Sequence, residues 1–153
     1  MDEYEKKFKE YLVGNNISAK HISFNESCHS VKEAADSVGA DEDDFIKSIC
    51  FVDSNDELVV AIVKGEDRVD GSKVENALGD KVSIAKPKQI LKKSGYPCGG
   101  VPPFGYKATF LIDSRVMEKD EVYAGGGSSQ SLIRISTDLI KKSSNADVVE
   151  ICD

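Results

Sequence analysis

Three observations predict a mixed α/β fold. Residues 45–52 (Phe-Ile-Lys-Ser-Ile-Cys-Phe-Val) and 58–63 (Leu-Val-Val-Ala-Ile-Val) are apolar, β-branched runs separated by a Ser54-Asn55 turn, the strongest hairpin signal in the chain. Strand-like runs recur along the whole length, at residues 21–24, 82–84, 108–112, 122–124, 132–135 and 148–151. Between them lie short amphipathic stretches with helix start and stop signals. At 153 residues with no linker-like stretch, the chain is expected to form one α/β domain over 1–153 with its own core.

The elements follow in order. Tyr4, Phe8, Tyr11 and Leu12 recur at helical spacing, so the first dozen residues form an amphipathic helix ended near Gly14-Asn15-Asn16. His21 to Phe24 is a short strand, and Val31, Ala34, Ala35 and Val38 mark a second helix stopped by Gly39. An acidic turn, Asp41 to Asp44, leads into the hairpin. Asp70 caps a helix carrying Val74, Ala77 and Leu78, closed by Gly79. Pro87 stands at the first position of a helix through Gln89, Ile90 and Leu91. Strands at 122–124 and 132–135 flank Gly125-Gly126-Gly127, and Ser136 caps a last helix through Leu139 and Ile140.

Composition removes several function classes. No apolar run approaches the roughly twenty residues of a membrane span, and the N-terminus is too charged for a signal peptide. Cys28, Cys50, Cys98 and Cys152 form no CxxC pair, and His21 and His29 have no cysteine partners at zinc spacing. The expectation is a reduced cytoplasmic protein with no metal and no cofactor. Residues 65–73 faintly suggest a P-loop, but Ser72 and Lys73 stand in the wrong order and Asp67 and Asp70 would repel phosphate. No GxGxxG follows a strand, and neither histidine has an obvious orienting carboxylate for a serine triad.

Four features carry chemistry. Four glycines and three prolines fall in Gly95-Tyr96-Pro97-Cys98-Gly99-Gly100-Val101-Pro102-Pro103-Phe104-Gly105-Tyr106, out of twelve and four in the whole chain. That mixture gives a loop of defined shape, either a binding wall offering the N–H groups of Gly99, Gly100 and Val101 or a rigid crossover under a sheet. Lys47 shares a strand face with Phe45, Ile49 and Phe51, so it either snorkels from an edge or stands as a fixed cation in a cleft wall. Gly125-Gly126-Gly127 implies a bulge or the close approach of a ligand. Finally, net charge is −7, yet residues 81–112 hold six lysines and no acid: Lys81, Lys86, Lys88, Lys92, Lys93 and Lys107. A local field of that sign suits a phosphate-bearing partner, the alternative being a solvated lysine-rich helix.

Taken together, Lys47, the 95–105 loop and Tyr123-Ala124-Gly125-Gly126-Gly127 resemble the YbaK family of aminoacyl-tRNA deacylases, related to the editing domain of prolyl-tRNA synthetases. Gly99 to Pro103 looks like the family's GxxxP motif, and the resemblance runs from about Val31 to Ile140. It implies a mixed, barrel-like sheet surrounded by helices, and hydrolysis of an amino acid wrongly esterified to the 3′-terminal adenosine of a tRNA. It assigns catalysis to Lys47, Gly99 and Gly100, and substrate binding to Val101, Pro103, Gly125, Gly126, Gly127 and Ser128; with a tRNA as the substrate, the acid-free window would supply tRNA contact through Lys86, Lys88, Lys92 and Lys93. The partners it implies are a mischarged tRNA and an aminoacyl-tRNA synthetase. Some branches of the family carry an acid or histidine just after the second glycine loop, where this chain has Ser128-Ser129-Gln130-Ser131-Leu132. That departure supports the alternative reading, a module of the same fold that binds tRNA ends or a synthetase without catalysis.

Overall fold

Local capping chemistry sets most helix ends. Helix α1 (Glu3–Gly14) opens on a reciprocal cap in which the Asp2 carboxylate accepts the Glu5 N–H at 2.8 Å and Glu5 returns to the Asp2 N–H. Ser30 caps α2 (Val31–Val38), Asp70 caps α3 (Gly71–Leu78) and Ser136 caps α5 (Thr137–Ser144). Helix α4 (Pro87–Ser94) begins with its proline at the first turn, as the sequence predicts. The computed structural model describes residues 2–24 and 30–153; Cys28 and His29, weighed above as metal or catalytic candidates, lie outside them.

The strands are β1 (Lys20–Ser23), β2 (Ile46–Asp53), β3 (Leu58–Lys64), β4 (Val82–Ile84), β5 (Thr109–Asp113), β6 (Glu121–Gly125), β7 (Ser131–Ser136) and β8 (Asp147–Val149). The predicted hairpin is β2–β3, antiparallel from Ile46↔Lys64 to Val52↔Leu58. It centres a five-stranded mixed sheet in the order β4-β2-β3-β5-β8, in which β3–β5 and β5–β8 are parallel. A second, antiparallel sheet has the order β1-β7-β6. The fold is therefore the expected mixed α/β arrangement. Its barrel-like sheet is open: the two sheets meet at an isolated bridge, Phe45↔Tyr123, where the two rings stack 4.9 Å apart, and they form no closed barrel.

The outer edge of β2 explains the opening. At one end it meets β6 through the Phe45 bridge, and at the other it pairs with β4 only over Phe51–Asp53. Between these the two sheets part. The Cys50 carbonyl accepts the Ala85 N–H at 3.0 Å on the outer side, so strand alternation turns the Ser48 peptide groups outward as well, into the gap.

Strand β3 is buried on both faces, which its uninterrupted apolar sequence requires. Ile62 and Val60 join the main core with Ile112, Ile133 and Phe104, while Val59, Ala61 and Val63 pack with Phe51, Leu111 and Ile151 on the other side. Helix α1 completes the main core. Phe8 is fully buried, 5.6 Å from the Phe104 ring and 5.9 Å edge-on to Tyr96, so its helix backs the glycine-proline loop. Phe8→Ala should cost about 3–5 kcal/mol in urea unfolding, the range for truncating a buried aromatic; a loss below about 1 kcal/mol would mean that α1 is not part of the cooperative core.

Candidate active site

The gap beside β2 is a cleft of about 370 Å³. Its walls come from five places that the chain brings together: Phe45 and β2 as far as Cys50, Ile90 of α4, the Cys98-Gly99-Val101 segment, Gly125 with Ser129, Ser131 and Leu132, and Ala34 of α2 with its cap Ser30.

Lys47 is in this wall, as a cation beside an apolar lining, and its Nζ donates to the Gly65 carbonyl at 3.1 Å. That bond uses one of three ammonium donors. The neighbouring lysines are consumed by structure. Lys64 pairs with Asp43, and Lys119 Nζ lies 2.6 Å from Asp43 and 3.1 Å from Asp44. The Lys119 hydrogen bond first, and the Lys64 bond second, hold the Asp43 carboxyl down at about 2. The acidic turn ahead of β2 is thus clipped to β3 and to the segment before β6.

The two glycine loops touch each other. Gly127 donates its N–H to the Gly100 carbonyl at 2.9 Å. A side chain at Gly100 would strike the Ser128 backbone, and one at Gly125 would strike the Val101 carbonyl. Gly126 has no room for a side chain against Ser131 and Leu132, and Gly127, with φ +112°, presses on Tyr4 and Glu5 of α1. All three glycines stand where backbone crosses backbone too closely for a side chain.

The predicted site residues separate accordingly. Lys47, Gly99, Val101 and Gly125 line the cleft. Gly100 is buried behind it, with its N–H donated to the Pro97 carbonyl at 3.0 Å, so that amide is engaged within the loop. Among the described residues the N–H groups of Gly99 and Val101 have no such acceptor. Pro103, Gly126, Gly127 and Ser128 are buried outside the lining. The Ser128 hydroxyl is spent inside its own loop, accepting the Gln130 N–H at 3.0 Å and meeting Ser131 Oγ at 3.2 Å. Lys86, Lys88 and Lys92 are exposed at or on α4, whose Ile90 lines the cleft. Lys93 differs: its Nζ bonds the Asp56 carbonyl at 2.6 Å and the Asp56 carboxylate at 3.1 Å.

Ser129 and Ser131, in the stretch that departs from the family pattern, also line the cleft. Ile90 carried no signal in the sequence, where it reads simply as a helix core residue. Cys50 and Cys98 both line the cleft, and burial pushes the Cys50 thiol up to about 12. One group among the described residues could hold a metal: Asp67, Asp113 and Cys152 lie within 4.8 Å of one another. None of them lines the cleft, and Asp113 already accepts the backbone N–H groups of Ile151 and Arg115 at 3.0 and 3.1 Å.

The family model for the aminoacyl-tRNA editing domain matches residues 25–142, which span both loops, Lys47 and every residue lining the cleft, and leave out α1 and β1. The chain belongs to that family. A solved structure described as a "putative trans-editing enzyme for prolyl tRNA synthetase" superposes with a TM-score of 0.93 at 25% identity, covering 100% of this chain and 99% of that one. An uncharacterized protein of Bacillus subtilis, YwhH, is 25% identical over 132 residues, 84% of either chain. The "Putative Cys-tRNA(Pro)/Cys-tRNA(Cys) deacylase EbsC" of Enterococcus faecalis is 23% identical over 99% of this chain and 88% of its own. Among the described residues no helix of this editing-domain protein is long and apolar enough to cross a membrane.

The thiols give a direct check on the cleft. Iodoacetamide at mildly alkaline pH should alkylate exposed Cys98 well before Cys50 or Cys152, whose thiols burial holds at about 12 and about 11. Peptide mapping that found Cys50 modified first would mean that the cleft is not built as described.

Proposed function

We propose that this chain is an aminoacyl-tRNA deacylase that hydrolyses the ester between a wrongly attached amino acid and the 3′-terminal adenosine of a tRNA, acting in trans in the cytoplasm. The observation that carries the reading is the convergence, in one cleft, of a fixed cation at Lys47 with the uncommitted N–H groups of Gly99 and Val101. An aminoacyl ester is intrinsically labile, so no side-chain nucleophile is required. The ester carbonyl lies against the Gly99–Val101 backbone, and a water adds to its carbon. The oxygen that gains charge is held by the two N–H groups, which are in place before the reaction begins. The tetrahedral centre then collapses and expels the ribose oxygen, which takes a proton to give free amino acid and a tRNA with its 3′-hydroxyl restored.

Lys47 keeps two donors beyond its Gly65 bond, and these hold an anionic group of the terminal nucleotide or the developing oxyanion. Gly100 serves this site by packing, letting the second loop lie directly on the first. Lys86, Lys88 and Lys92, beside the cleft on α4, receive the phosphates of the tRNA end. Lys93 is neutralised by Asp56 and stands outside that role. The same surface would let the chain take its substrate from an aminoacyl-tRNA synthetase.

Two experiments test this. Lys47→Ala should lower the deacylation rate of the preferred mischarged tRNA by about a hundredfold, the usual cost of losing one such group, with the melting temperature close to that of the parent. A rate within threefold would clear Lys47 of the role. Retained tRNA-end binding by a parent protein that deacylates nothing across a broad panel would favour the non-catalytic module. For docking, the Lys88→Glu, Lys92→Glu double variant should weaken tRNA binding at least tenfold and flatten its dependence on salt, whereas Lys93→Ala should change neither. Equal effects from both changes would mean that α4 is not the docking face.

A further inference from the structure

One polar contact behind the cleft comes from a residue outside those matched by the family model. His21 on β1 places Nε2 2.9 Å from the Gly126 carbonyl oxygen. A carbonyl only accepts, so Nε2 carries the proton and donates. The other ring nitrogen, Nδ1, is buried without a partner among the described residues, so the ring makes this one bond.

The contact continues through the backbone. The Gly126 C=O and the Gly127 N–H belong to one trans peptide unit and point in opposite directions. The Gly127 N–H donates to the Gly100 carbonyl at 2.9 Å. The Gly100 C=O in turn shares a trans peptide unit with the Val101 N–H, which therefore points away from Gly127, and Val101 lines the cleft. His21, two peptide units and the Val101 N–H thus form a single hydrogen-bonded line running from the back of the molecule to the cleft. Each donor in such a line polarises the next, and each acceptor fixes the rotation of the plane that carries it.

We propose that His21 is a positioning residue for deacylation, aiming the Val101 N–H at the oxyanion through the 126–127 and 100–101 peptide units. The inference rests on the deacylase reading given above. Without the imidazole donor, the buried Gly126 carbonyl is left unsatisfied, and the loop relieves that cost by rotating the peptide. The rotation slackens the Gly127–Gly100 bond and lets the Val101 N–H swing.

The test compares His21→Leu, which removes the donor, with His21→Gln, whose amide can place N–H where Nε2 stands. Deacylation kinetics on a mischarged tRNA and amide hydrogen exchange at Gly127 are both measured. His21→Leu should lower kcat about tenfold or more, leave KM for the tRNA unchanged and speed Gly127 exchange at least tenfold. His21→Gln should recover most of both. A kcat within twofold of the parent, a change confined to KM, or unaltered Gly127 exchange would overturn the proposal. Should His21→Leu fail to fold, His21→Asn, too short to reach Gly126, replaces it in the comparison. Should the parent deacylate nothing, the deacylase reading fails by itself and the proposed role falls with it.

Discussion

The hydrogen bond from Gly127 to Gly100 is the contact on which the rest of this structure turns. It joins two loops that are far apart in sequence, and it can form only because the chains meet at van der Waals distance without side chains between them. Gly100 lies on Ser128, Gly125 on the Val101 carbonyl, and Gly127 on α1. Each of these glycines loses more backbone freedom on folding than any other residue would, so the junction is entropically expensive. What it yields is a cleft wall whose two halves cannot move separately. The Cys98-Gly99-Val101 segment and the Ser129–Ser131 segment are one surface, although about thirty residues of chain lie between them.

Among the described residues, three lysines are held by carboxylates. Lys64 and Lys119 share Asp43, Lys119 also holds Asp44, and Lys93 answers Asp56. Because Asp43 titrates at about 2 in the folded chain, below its ordinary value, its pairing contributes stability above the usual carboxylate range and loses it as pH falls towards 2. That clip fixes the turn from which β2 departs, and so fixes the height at which Lys47 enters the cleft. Lys47 itself bonds a neutral carbonyl, at Gly65.

What the sequence disclosed was what short-range chemistry decides. The hairpin, the capped helices, the proline at the start of α4 and the identity of the two glycine loops all follow from residues within a few positions of one another. Lys47 and Gly99 could be assigned to a common site because a family pattern links them. The roles of individual loop residues could not be read in this way. Whether the amide of Gly100 or that of Val101 is free depends on the Pro97 carbonyl and the turn it closes. Whether Lys93 is available depends on Asp56, which the fold brings to it across 37 positions. The division of strands between two sheets was equally hidden, since the sheets are bridged at one isolated pair, Phe45↔Tyr123, just ahead of β2. The contacts of α1 and His21 with the second loop show only when the backs of both loops are seen together.

The gap in the edge of β2 has a consequence for how this protein keeps company with copies of itself. An open strand edge normally invites another chain to pair along it, and proteins cover or charge such edges to prevent it. Here the edge is held by Tyr123 at one end and by β4 at the other, and the peptide groups left open between them are those around Ser48. No second strand can lie in so short an opening, because pairing needs several residues in register. A small group can. The fold thus leaves a short stretch of strand edge open in a form accessible to a small group and too short for a second strand to pair along.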